Sequence, residues 1–357
     1  MKLGIITFHK ALNYGAVLQT YALGTYIRKN FPEVAVEVVD YRCPELTKFY
    51  SLRRQISGNV VKSAAKCMHF LMKRKLFDDF SCKYIPLSKN QYHDKTIGQV
   101  NMVYDKLLCG SDQVWNPELT GNDPNYLLAF APREKRYSYA ASIGRSDLSE
   151  SVFEHYICIL NGYREISVRE PSSVGLLQNI GINVPIRSHI DPVLLLRREE
   201  WEELCEKVPP RKKNYILVFT VNYSDALILE AVSFGKARNL DIIYVGQYTA
   251  NSDVEYTPLI SVERLLALFR DAEYVFTNSF HGTAFSVIFQ KHFYSRTELR
   301  DGRNSRIADL LQQLELNAHL DLEKIDYQDN WELTEQTLYR ECMRSYEYLK
   351  WVVYHEN

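Results

Sequence analysis

The chain has 357 residues, with 43 basic and 44 acidic side chains and a formal net charge of −1. That length can bury a sizeable core and suits two domains. The balanced charge argues against nucleic acid as a partner, which selects strongly basic surfaces. Seven scattered cysteines, with no CxxC or Cys/His metal spacing, read as reduced and mostly buried thiols, and no metal is expected. The opening MKLGIITFH turns polar too soon for a secretory signal, and no apolar run could span a bilayer. A soluble, cytoplasmic protein is the expectation.

In chain order, Lys2 to Phe8 reads as a buried strand, His9 to Gly15 as a loop, Ala16 to Asn30 as an amphipathic helix and Val34 to Tyr41 as a second strand. This βαβ opening predicts a parallel sheet, and open α/β sheets bind ligands at strand carboxyl ends, where the His9–Gly15 loop lies. The loop lacks GxGxxG, so no dinucleotide site is expected. Residues 44 to 95 are basic and less regular, with Arg53, Arg54, Lys62, Lys66, Lys73, Arg74 and Lys75 among apolar positions. A solvated helical face is the plain reading; a surface helix touching anionic headgroups, a peripheral membrane contact, is the other.

Tyr104 to Leu108 reads as a strand running into Gly110, Ser111 and Asp112, where either polar residue suits a helix cap or a cleft. Strands follow at Arg136–Ser142 and Glu165–Arg169, with a helix near Glu150–Asn161 and another from Pro171 to Leu177. Arg169, at a strand end, suits a carboxylate or phosphate clamp, or equally an ion pair with Glu170 or Asp191. The prolines at 209 and 210 suggest a linker. Beyond it a second alternating set runs from Tyr215–Thr220 through helix Leu227–Asn239, strand Ile242–Val245, helix Ser261–Arg270, strand Tyr274–Thr277 and His292–Ser295 to helix Ile307–Leu314. The expected domains are 1–205, 206–330 and a C-terminal helix, 331–357, packing back on the first. Within YVFTNSFHGTAFSVIF (274–289), a strand meets a helix across a turn carrying Asn278, Ser279, His281 and Thr283. Such a turn aims backbone N–H groups and a positive dipole end at an anion. A lone histidine there is an acid/base candidate, or merely structural.

TFHKALNYGAVLQTYAL, CGSDQVWNP, SVRE, HIDPVLLL, NSFHGTAFS and SRIADLL, in that order, resemble the polysaccharide pyruvyl transferase family across most of the chain. The resemblance implies an α/β, GT-B-like fold: two Rossmann-like domains with parallel sheets facing a central cleft. It also implies transfer of pyruvate from phosphoenolpyruvate onto two sugar hydroxyls as a cyclic ketal, with phosphate released and no cofactor. His281 matches the family's histidine and Arg169 its strand-end arginine. Some members carry an arginine where this chain has Ser279. Arg303 or Arg306 is therefore expected to supply the cation, with Asn278, Ser279, Phe280, Gly282 and Thr283 completing the donor site. The acceptor is expected across His9, Asn13, Tyr14, Gly15 and Asp112 of the first domain, as a galactose or mannose unit of a lipid-linked repeat. The competing readings are a GT-B glycosyltransferase using a nucleotide sugar and a non-catalytic carbohydrate-binding relative.

Overall fold

The structure, a computed structural model, describes residues 1–56, 60–145, 149–211, 214–297 and 305–355. The chain divides into two compact units, one of residues 1–195 and 339–357 and the other of residues 196–338. In the first, strands β1 (Lys2–Ile6), β2 (Ala35–Tyr41), β3 (Leu87–Tyr92), β4 (Lys106–Cys109) and β5 (Arg136–Ser138) form a parallel sheet in the order β3-β2-β1-β4-β5. A parallel pair, β6 (Ile166–Val168) and β7 (Ile186–Ser188), joins through a bridge between Ala141 and Val168. Helices α1 (Tyr14–Asn30), α2 (Pro44–Phe49), α3 (Val60–Tyr84), α4 (Pro117–Thr120), α5 (Glu150–Leu160) and α6 (Pro171–Asn179) belong to this unit.

The second unit repeats the plan. Strands β8 (Tyr215–Phe219), β9 (Asp241–Val245), β10 (Glu255–Tyr256), β11 (Tyr274–Thr277) and β12 (His292–Ser295) run parallel in the order β10-β9-β8-β11-β12. Its helices are α7 (Arg198–Cys205), α8 (Asp225–Arg238), α9 (Val262–Asp271), α10 (Phe280–Ile288) and α11 (Ser305–Gln313). The last helix, α12 (Trp331–Tyr354), starts in the second unit and from Tyr339 belongs to the first. There Tyr348 donates to the Ser138 carbonyl at 2.8 Å and the Lys106 ammonium to the Val352 carbonyl at 2.8 Å.

The central strands are fully buried runs such as YILVF and YVFT, as parallel sheets covered on both faces require. The division falls at Leu195, not at the proline pair. Trp201 of α7 packs edge-on against Phe285 at 5.1 Å and Arg270 donates to the Cys205 carbonyl at 3.2 Å, so α7 belongs to the second core. Three of the seven cysteines (Cys43, Cys109 and Cys205) are buried, whereas Cys82 and Cys158 are exposed, which corrects the expectation that most would be hidden; all seven are free thiols. Among the described residues no helix is long and apolar enough to cross a membrane.

His189, following β7, is packed between Tyr139 and Tyr348, and its Nδ1 meets the Ser167 hydroxyl at 2.8 Å. Burial, helped by Arg344 and Arg187, pushes its pKa from 6.5 down to about 3. Across that window the unfolded chain binds a proton that the folded chain refuses. Stability should therefore be fully present above pH 6.5 and fall on acidification by ~1 kcal/mol per unit from this group. Melting curves should show wild type losing more stability between pH 7 and 4 than His189→Phe; parallel losses would refute the assignment.

Candidate active site

In both sheets the strand order reverses between the first and fourth strands of the set, β1 and β4 in one and β8 and β11 in the other. The carboxyl ends of such a pair form the crevice where open α/β sheets take ligands. The turn after β11 lies at this point in the second unit. The Asn278 amide closes it, accepting from the Val221 N–H at 3.2 Å and donating to the Asn222 carbonyl at 2.8 Å beyond β8. Thr277 Oγ1 donates to the Phe219 carbonyl at 2.7 Å and accepts from the Ser279 N–H at 3.0 Å. Ser279 is the N-cap of α10, its side chain accepting from the Gly282 N–H at 3.3 Å. A Cβ on Gly282 would lie 2.2 Å from Thr277 Oγ1, so only glycine lets this helix begin so close to the strand.

His281 therefore stands in the first turn of a nine-residue helix whose positive end faces the switch point. Its ring lies edge-on to Phe280 at 5.3 Å, and the residue is 8% exposed. Thr283 Oγ1 donates to the Ser279 carbonyl at 3.1 Å and shares a 2.7 Å hydrogen bond with Ser295. The side chains of Asn278, Ser279 and Thr283, expected as donor ligands, thus build the turn. What the turn keeps for a ligand is the backbone and dipole of the α10 N-terminus, with His281 in its first turn. Arg303 lies outside the described residues. Arg306 is in the first turn of α11, which packs against α10. Arg296, which the sequence reading passed over, follows β12, and its backbone donates to the Thr277 carbonyl at 2.8 Å. Its guanidinium is paired with Glu230 of α8. Its position one residue beyond a predicted strand was the available signal.

At the switch point of the first unit, the Thr7 hydroxyl donates to the Ser111 carbonyl at 2.9 Å, and Gln19 of α1 bonds both Thr7 Oγ1 and the Ser111 N–H. The turn after β4 carries two residues with positive φ, Gly110 at 119° and Asp112 at 70°; a Cβ on Gly110 would sit 2.2 Å from the Tyr139 carbonyl oxygen. Arg169, at the end of β6, donates from Nε to Glu170 at 2.8 Å and from Nη1 to Asp191 at 2.8 Å, with Asp112 at 3.9 Å. Burial works to lower its pKa, but Glu170, Asp191 and Asp112 outweigh that and hold it raised. The same carboxylates fasten other segments: Ser142 Oγ donates to Glu170 at 2.7 Å and Ser111 Oγ to Asp191 at 3.3 Å. Of the two roles open to this arginine, the contacts present are those of the ion pair.

The residues expected for an acceptor separate. Asn13 is the N-cap of α1, accepting from the Ala16 N–H at 3.3 Å. Tyr14 and Gly15 are buried in its first turn, the tyrosine ring 4.8 Å from that of Phe77. His9, 2% exposed, sets Nε2 2.8 Å from Asp40 and Nδ1 3.1 Å from the Thr7 carbonyl. Burial tends to raise the Asp40 pKa, but hydrogen bonds from His9 and Arg42 prevail and keep it well below the usual carboxylate range. His9 also borders a cavity of about 110 Å³, walled by Lys10 after β1, Arg42 after β2, Tyr50 after α2, and Phe77 and Asp78 of α3. That is small beside the roughly 300–1,000 Å³ of a drug-sized site. Its wall mixes aromatic faces with charged groups, Lys10 pairing with Asp78 at 3.0 Å. Lys10, Arg42 and Tyr50 were not among the expected site residues, because they converge only when α2 and α3 fold over the ends of β1 and β2.

A profile of the polysaccharide pyruvyl transferase family matches residues 13–296, well over half of the chain. The chain belongs to the polysaccharide pyruvyl transferase family. Like the family at large, it is a transferase, and a sugar acceptor is implied. No curated protein matches it in sequence. Among solved structures it is similar to a Listeria monocytogenes protein assigned as a UDP-N-acetylglucosamine 2-epimerase (12% identity, covering 100% of this chain and 97% of that one, TM-score 0.55). It is also similar to Anabaena HepE in complex with UDP and glucose (10% identity, 98% and 99%, TM-score 0.52) and to S. aureus MnaA with UDP (10% identity, 99% and 97%, TM-score 0.51). At these identities the likeness is one of fold. This pyruvyl transferase relative is GT-B-like, two Rossmann-like units each with a parallel sheet.

Proposed function

We propose that the protein transfers pyruvate from phosphoenolpyruvate onto two hydroxyls of one sugar, forming a cyclic ketal and releasing phosphate. The observation that carries this reading is His281, in the first turn of a helix at the switch point of the second sheet, in a chain of this family. Carbon three of phosphoenolpyruvate takes a proton, leaving carbon two electrophilic. A first hydroxyl adds there and gives up its proton; the C–O bond to phosphate then breaks, and the second hydroxyl closes the ring. The departing phosphate carries away the remaining proton. An imidazole that gives the proton to carbon three and takes one from the attacking hydroxyl suits both halves.

The donor is assigned to the second unit: the N-terminus of α10, whose first turn holds Phe280 and Gly282, for an anionic group, and a cation from Arg306 or Arg303. The acceptor sugar is assigned to the first unit, at the cavity beside His9 and at Asp112, where aromatic faces and carboxylates suit a ring bearing hydroxyls. A lipid-linked repeat unit is the acceptor class and the cytoplasm the place of reaction; no resident cofactor or metal takes part.

A glycosyltransferase reaction is the second reading, because HepE and MnaA in the similar structures hold UDP. A ligand that binds only the folded state raises the melting temperature. Phosphoenolpyruvate should do so, and UDP, UDP-glucose and UDP-N-acetylglucosamine should not. Stabilisation by the nucleotides alone would give preference to the second reading.

A further inference from the structure

Helix α3 has two apolar faces. Phe70, Phe77 and Phe80 are buried in the first unit, at 8%, 3% and 1% exposure. Met68, Leu71 and Met72 lie at three- and four-residue steps on another side of the same helix and are 61%, 48% and 50% exposed. The preceding segment adds Phe49 in α2 at 51%, and Leu52 and Ile56 in and after the 3-10 turn at Leu52–Gln55, at 41% and 65%. That turn packs against α3. Singly exposed apolar side chains are ordinary, but six large ones between Phe49 and Met72, on α2, the 3-10 turn region and α3, form a surface that water does not favour.

Charge selects the occupant. From Phe49 to Lys75 there are seven basic side chains and no acidic one, in a chain whose net charge is −1. Arg53, Arg54, Lys62, Lys66, Arg74 and Lys75 are exposed. Lys73 instead covers aromatic surface, its ammonium 5.9 Å from the Tyr14 and Phe77 ring centres. An apolar stripe bordered by cations, on a helix too polar to insert, matches the boundary between anionic headgroups and acyl chains. A second copy of this surface would set cation against cation.

We infer that the α2–α3 surface docks on an anionic lipid bilayer. Tyr50, Phe77 and Asp78, from the segments that carry the patch, also wall the cavity beside His9. Docking would therefore bring that cavity to the level of the headgroups, where a lipid-linked sugar is displayed. The inference rests on the pyruvyl-transfer reading only for what the membrane delivers; the docking itself needs no chemistry.

Sedimentation of the full chain at low salt, with phosphatidylcholine vesicles and with vesicles also containing phosphatidylglycerol, tests it. The protein should sediment with the anionic vesicles and not the zwitterionic ones. Each basic residue near such a surface contributes about fivefold in affinity, so Lys66→Glu with Lys75→Glu should weaken binding by at least ~25-fold. Met68→Ser with Leu71→Ser should weaken it while leaving the melting temperature unchanged, because both side chains are exposed. Failure to sediment with either vesicle, equal binding to both, or unchanged binding by both variants would overturn the inference. A dimer in light scattering that Leu71→Ser abolishes, without vesicle binding, would assign the face to a second copy and overturn it as well. The assay contains neither phosphoenolpyruvate nor acceptor, so its failure leaves the catalytic reading standing, and failure of that reading leaves the docking result intact.

Discussion

His281→Ala should lower turnover with phosphoenolpyruvate and acceptor by about a hundredfold or more, the usual contribution of a positioned acid/base group. The fold gives reason to expect this loss in chemistry rather than in stability. The turn that carries the histidine is held by other residues: Asn278 ties it to the loop after β8, Thr277 braces the strand end, and Ser279 caps α10. Removing the imidazole leaves each of those bonds in place. The melting temperature of His281→Ala should therefore stay near that of wild type while turnover collapses, and binding of phosphoenolpyruvate should change far less than turnover. A variant with near wild-type turnover would return His281 to a packing role beside Phe280.

Arg169→Met should do the opposite, with its main effect on folding. The guanidinium side chain is 2% exposed, and its partners Glu170 and Asp191 are 4% and 0% exposed. Removing the cation leaves these carboxylates buried and uncompensated, a loss of about 3–5 kcal/mol, with Asp112 at 3.9 Å adding to the repulsion. For a unit of this size that corresponds to a melting temperature lower by roughly 6–20 °C. Arg169→Lys separates the two roles proposed for this residue. A point charge keeps part of the neutralisation but cannot fork between Glu170 and Asp191. The ion-pair assignment predicts a lower melting temperature with phosphoenolpyruvate affinity little altered in the folded protein. Unchanged melting with strongly weakened donor binding would instead make Arg169 the clamp for the donor's carboxylate or phosphate.

The sequence announced the two alternating strand–helix sets because buried parallel strands are short apolar runs that leave a clear trace. One edge strand of each sheet left none. Leu87–Tyr92, reading LSKNQY, pairs on one side only, and its exposed lysine, asparagine and glutamine hide the strand. Strand β10 is two residues long. The boundary between units was misplaced for a physical reason: Pro209 and Pro210 end the segment after α7, but Trp201 had already committed that helix to the second core. At the sites, residue types were legible and partners were not. Asn13, Asn278 and Ser279 look like ligand donors because short polar side chains bind ligands and cap turns equally well. Only the folded geometry shows that Asn13 and Ser279 cap their own helices and that Asn278 is engaged with the backbone of the loop after β8. Lys10, Arg42 and Tyr50 come from three segments and meet at one cavity, a convergence that local pattern does not encode.

The central claim concerns the fate of phosphoenolpyruvate. Incubated with phosphoenolpyruvate and a panel of galactosyl- and mannosyl-terminated lipid-linked acceptors, the enzyme should release one phosphate for each acid-labile pyruvate ketal formed, and none when the acceptor is omitted. Glycosyl transfer from a UDP-sugar, with phosphoenolpyruvate left intact across the panel, would contradict the account.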